Sequence, residues 1–162
     1  MENSAFKNSI LIAITFLISM MLAILPVPQS ISWYQPAWVF MVLLFWMIAL
    51  PHRVGIFAAF IVGLLQDLLM GTILGQHAFV FSLMAYFYMR FHTPIRSLPL
   101  WQQGLLVFFS TLLYLLVQYW IMAVADQALA TWRYWLPLVT TMLLWPGIRL
   151  VLNDYQHRFK LS

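Results

Sequence analysis

Residues 55–91 read GIFAAFIVGLLQDLLMGTILGQHAFVFSLMAYFYMRF, and the way this stretch is divided decides the fold. A membrane-crossing helix needs about 20 mostly apolar residues, because the hydrocarbon core is about 30 Å thick and a helix rises 1.5 Å per residue. The stretch holds two such helices, about 55–73 and 75–91, joined by Gly71-Thr72-Ile73-Leu74-Gly75, a connection that is barely polar. Read instead as one re-entrant hairpin, it lowers the number of spans and sends Arg90 and Arg96 to the other side of the membrane.

Four further apolar segments flank it, at about 9–25, 34–50, 101–125 and 133–152, so the expected fold is an all-α integral membrane protein, a bundle of six transmembrane helices. Pro26 and Pro28 stop the first, since proline has no N–H to continue a helix. Pro51-His52-Arg53 turns tightly between the second and third. The stretch 93–99, with Pro94 and Pro99, separates the fourth from the fifth, and 126–131 (DQALAT) opens the sixth. Lys and Arg favour the cytoplasmic side. With the N-terminus inside, Lys7, Arg53, Arg90, Arg96, Arg149, Arg158 and Lys160 fall inside and only Arg133 outside, so both ends are expected in the cytoplasm. Trp33, Tyr34, Trp101, Trp132, Tyr134 and Trp135 sit at span ends, where amphipathic rings favour the headgroup zone. The first apolar run lacks a convincing small-residue cleavage site and reads as a retained helix. The whole chain, 1–162, is one membrane domain ending in a basic cytoplasmic tail, 153–162.

Composition agrees. Of 162 residues 64% are hydrophobic and only 7% charged, against roughly 25% charged in a soluble domain, which excludes a soluble enzyme and a disordered chain. The absence of cysteine removes disulfides, thiolate metal sites and cysteine nucleophiles.

Asp67 is the one acid deep inside a span. At a helix centre it costs roughly 2.5–3.5 kcal/mol. Eleven Leu, Ile, Phe and Val residues between positions 56 and 74 each return roughly 0.3–0.6 kcal/mol, so the helix inserts in spite of it. Gly63, Asp67, Gly71 and Gly75 recur every four residues and share one stripe if the helix is regular; small residues at that spacing admit a second backbone. The stripe either holds a partner or a polar ligand through Asp67, or the carboxyl is hydrogen-bonded to a neighbouring helix of its own chain. His52, His77, His92 and His157 lie at span ends or in the tail and form no convergent metal set. No nucleophile elbow, second deep carboxylate, phosphate loop or dinucleotide fingerprint is present, so neither catalysis nor a cofactor nor a metal site is expected. Nucleic acid is not an expected partner. Trp145-Pro146-Gly147 is expected to kink or end the sixth helix. Beyond it Arg149, Arg158 and Lys160 lie among apolar residues at helical spacing and face anionic lipid headgroups or a cytoplasmic partner.

The strings QPAWVFMVLLFWMIALPHRVG (35–55), GLLQDLLMGTILG (63–75), LWQQGLLV (100–107) and LLWPGIRLVL (143–152), in this order and spacing, resemble the MreD family of rod shape-determining proteins, in its proteobacterial branch. GLLQDLLMGTILG is similar to that family's Gly-x-x-x-Asp-x-x-x-Gly-x-x-x-Gly segment, and Trp101, Gln102, Gln103, Trp145 and Pro146 belong to the other matching strings. The resemblance implies a non-enzymatic, multi-pass subunit of the bacterial inner membrane. It would act in cell elongation with MreC, with RodA and its class B transpeptidase, and with MreB filaments. It also implies an architecture like the substrate-binding subunits of ECF-type vitamin transporters, which by itself establishes no ligand. Under this reading Gly63, Asp67, Gly71 and Gly75 are contact or fold residues, and Pro51, His52, Arg53, Arg149, Arg158 and Lys160 face cytoplasmic partners. The competing reading is a small-molecule binding or transport subunit with Asp67 in a midplane pocket.

Overall fold

The computed structural model describes residues 2–125 and 131–159, and every regular element among them is helical. Helix α1 is Glu2–Ala23, the short α2 is Gln29–Ser32, α3 is Trp38–Ala49 and α4 is Ile56–Met70. They are followed by α5, Gln76–Ser97, and α6, Leu100–Val124. A 3-10 turn, Trp132–Trp135, then leads into α7, Leu136–Arg158.

The centre is α3. Its sequence, WVFMVLLFWMIA, has no polar face, and a helix apolar all round belongs inside rather than at a surface. All ten side chains from Val39 to Ile48 are buried, enclosed by α1, α5 and α7. Trp46 lies fully buried and donates its indole N–H to Thr15 Oγ1 on α1 at 2.8 Å. Phe40 stacks on Phe81 of α5 and on Tyr114 of α6, with centroids 5.8 and 4.8 Å apart. Tyr155 of α7 donates to the Leu11 carbonyl of α1 at 3.1 Å, and the Ala37 N–H donates to Thr141 Oγ1 on α7 at 3.1 Å.

These contacts and the short connections make successive long helices antiparallel. One end of the bundle gathers the start of α1, the α3–α4 turn, the α5–α6 turn and the end of α7. Lys7, Arg53, Arg90, Arg96, Arg149 and Arg158 lie toward that end, and Arg133 lies at the other.

Among the described residues three helices are long and apolar enough to cross a bilayer: Phe6–Ala23, Leu100–Val124 and Trp132–Arg158. Helix α5 has 22 residues, whereas α3 and α4 have 12 and 15, shorter than the segments 34–50 and 55–73 expected from hydropathy. At 1.5 Å per residue α3 is only about 18 Å long. Its flanks are not helical, which is tolerated at membrane depth where the backbone is buried in protein.

Two expected breaks fall elsewhere. The stretch 93–97 stays helical as the end of α5, and the interruption shrinks to Leu98-Pro99. There the buried Gln103 side chain donates to the carbonyls of Ile95 and Leu98, at 3.0 and 3.2 Å, and so caps α5. Likewise α7 does not end at Trp145-Pro146-Gly147 but runs on to Arg158, absorbing the first part of the expected tail. Trp145 is buried and holds this segment against the core. Of the break expected at 126–131, residues 126–130 lie outside the described residues, as does Lys160.

Candidate functional site

Helix α4 ends because Gly71 takes a left-handed conformation (φ 62°), which closes the helix without a Cβ penalty, and Gly75 (φ 95°) completes the reversal. The regular four-residue stripe expected from Gly63 to Gly75 is therefore cut in half. Gly63 and Asp67 lie on α4, while Gly71 and Gly75 belong to the turn.

Both helical members of that set face α5 of the same chain. A Cβ on Gly63 would stand 2.4 Å from Ala78 Cα and 2.5 Å from Ala78 N, so the two backbones touch here. One turn further on, Asp67 is 1% exposed and its carboxylate clasps the beginning of α5. Oδ1 accepts from Thr72 Oγ1 and the His77 N–H, each at 2.9 Å, and lies 2.7 Å from His77 Nδ1. Oδ2 accepts from the Gly75 N–H at 2.9 Å and the Ala78 N–H at 3.4 Å.

Helix starts leave several N–H groups without intrahelical partners, and a local Ser, Thr, Asp or Asn usually takes one of them. In α5 that position is Gly75, which has no side chain, and Asp67 from the preceding helix supplies the acceptor instead. The negative carboxylate also meets the positive end of the α5 dipole. A buried acid among so many donors is consistent with charge stabilised by the fold itself. Each of these hydrogen bonds joins Asp67 to its own chain.

Beside this clasp lies a cavity of about 380 Å³, at the end of the bundle away from Lys7 and Arg158. Asp67 does not line it; its neighbours Gln66, Thr72, Gln76 and His77 do, facing Tyr114, Gln118 and Tyr134. Gln76 donates its side-chain amide to Gln118 Oε1, and Tyr134 donates to the Leu115 carbonyl at 3.0 Å. Gln66 Oε1 and Gln118 Nε2 are buried without a hydrogen-bonding partner among the described residues.

The remaining expected residues scatter. Pro51 is buried, His52 exposed and Arg53 half-buried at the α3–α4 turn. Arg149 is half-buried on α7, and the exposed Arg158 pairs with Asp154 at 2.7 Å. Trp101 is exposed and Gln102 half-buried, whereas Pro146 is exposed beside the buried Trp145. In the sequence Gln66 and Gln118 carry no assigned role, and His77 reads as a histidine at a span end. The signal for Gln118 was the one that found Asp67, a hydrogen-bonding side chain inside an apolar run, but an amide costs less to insert and stands out less.

The model of the family described as rod shape-determining protein MreD matches residues 4–155 of the chain. The chain is 33% identical over 146 residues to a rod shape-determining protein MreD from Haemophilus influenzae, covering 90% of each protein. No solved structure matches.

Proposed function

The chain belongs to the MreD family of rod shape-determining proteins, and from that premise we propose that it is a non-enzymatic, multi-pass scaffold of the bacterial inner membrane. In this reading it couples MreC and the peptidoglycan synthases, RodA with its class B transpeptidase, to cytoplasmic MreB filaments. The observation that carries the proposal is the family match over residues 4–155, to a family described by rod-shape determination and not by a reaction. The charge distribution supports the reading: the basic end, with Arg53, Arg90, Arg96, Arg149 and Arg158, is suited to cytoplasmic partners and anionic headgroups. In this reading Gly63 and Asp67 are fold residues that hold the α4–α5 hairpin.

A depletion experiment tests the scaffold. In a rod-shaped host depleted of this chain, MreC should cease to co-purify with RodA and the transpeptidase as the cells round up. Re-expression should restore both together. Rounded cells that retain the full complex would sink the scaffold and leave a signalling role in its place.

A further inference from the structure

The cavity at the far end of the bundle has a chemistry the scaffold reading does not use. Gln66 is 7% exposed and Gln118 3%, so both are more than nine-tenths buried, and both line the cavity. Gln66 Oε1 is an acceptor and Gln118 Nε2 a donor, and neither has a partner among the described residues. Buried polar atoms left in this state call for an explanation, of which a bound molecule is one. Gln76 and Gln118 pair through their side-chain amides, which leaves one polar atom of Gln118 over. His77 adds a third group. With its Nδ1 proton directed to Asp67 Oδ1, 2.7 Å away, its other ring nitrogen is an acceptor.

Among the described residues lining the cavity there is no Lys, Arg, Asp or Glu, so nothing there neutralises an ion. Trp38, Tyr114 and Tyr134 supply flat apolar walls. A volume of about 380 Å³ falls within the roughly 300–1,000 Å³ of small-molecule sites, which combine apolar walls with a few convergent polar groups.

We infer that this cavity is a binding site for a small, uncharged molecule carrying hydroxyl or amide groups, held by Gln66, His77 and Gln118. The inference is independent of the scaffold reading and differs from a pocket built on Asp67, whose oxygens are already engaged by the start of α5.

The test uses the full chain purified in a mild detergent, with thermal unfolding as readout. Two uncharged probes, N-acetylglucosamine and myo-inositol, are compared with the cation glucosamine and the anion glucuronate. At a concentration tenfold above half-saturation, at least one uncharged probe should raise the midpoint by about 3–6 °C, while the charged ones do not. Gln66→Leu should abolish the shift without lowering the midpoint of the probe-free protein, since it removes a buried carbonyl that has no partner among the described residues and spares the Gln76–Gln118 bond. If that variant does not fold, Gln66→Met is read in the same way. No shift from either uncharged probe would overturn the inference and leave the cavity hydrated only. Equal shifts from all four probes, or a shift that survives in the variants, would overturn it too.

Discussion

Replacing Asp67 by Asn removes one charge and changes almost nothing in shape, so its effect can be worked out from the clasp. The best orientation of the new amide keeps an oxygen at the Oδ1 position, where Thr72, the His77 N–H and His77 Nδ1 converge. The amide NH₂ then faces the Gly75 N–H, 2.9 Å from the lost acceptor, and donor meets donor. Hydrogen bonds to a charged group contribute about 1.5–3 kcal/mol each and neutral ones about 0.5–1.5 kcal/mol. Two bonds are lost outright, the one from Gly75 and the longer one from Ala78, and the three at Oδ1 lose their charge assistance. Weakening of the dipole interaction adds to this, up to about 1 kcal/mol. Allowing for relaxation of the turn, the net destabilisation is about 3 kcal/mol. In a chain of this size that lowers the unfolding midpoint by about 6–12 °C. The assay is thermal unfolding of the detergent-solubilised protein followed by far-UV circular dichroism, run beside rod-shape complementation in cells. A variant that unfolds with the wild-type midpoint yet fails to maintain rods would refute the clasp as the role of Asp67.

Two further outcomes follow from the packing. Gly63→Ala presses a methyl group against the Ala78 backbone and should cost about 1–3 kcal/mol in the same assay, whereas Gly147→Ala, whose Cβ meets nothing within 4 Å, should be neutral or gain up to about 1 kcal/mol in helix propensity; the opposite order would discredit the close α4–α5 approach. A double-mutant cycle of Trp46→Phe and Thr15→Val should return a coupling of about 0.5–1.5 kcal/mol for the indole hydrogen bond, and a coupling of zero would mean that α1 and α3 are not joined there.

Much of this was legible in the sequence, for identifiable reasons. The insertion cost of an acid singled out Asp67, because one carboxylate in an apolar helix is a large local signal. Its partners were not legible. The four-residue spacing of Gly63, Asp67, Gly71 and Gly75 presupposed a regular helix, and the left-handed Gly71 breaks it. The donors then come from residues five to eleven positions further on, across a turn that no helical periodicity encodes. At Pro146 the helix does not end but runs on, with the buried Trp145 packed into the core beside it. Hydropathy also overextended α3, since it measures compatibility with an apolar environment and not whether that environment is lipid or protein.

That last distinction bears on how the molecule is made. Helix α3 emerges from the ribosome second among the main helices, yet α5 and α7, which complete its enclosure, are synthesised later, α7 last of all. Until then a helix too short to bridge the bilayer must wait beside lipid or the insertion machinery with a flank uncovered. Chains terminated before Leu136 carry the interior but not its final wall, so the enclosure of α3 is finished only by the last helix to be made.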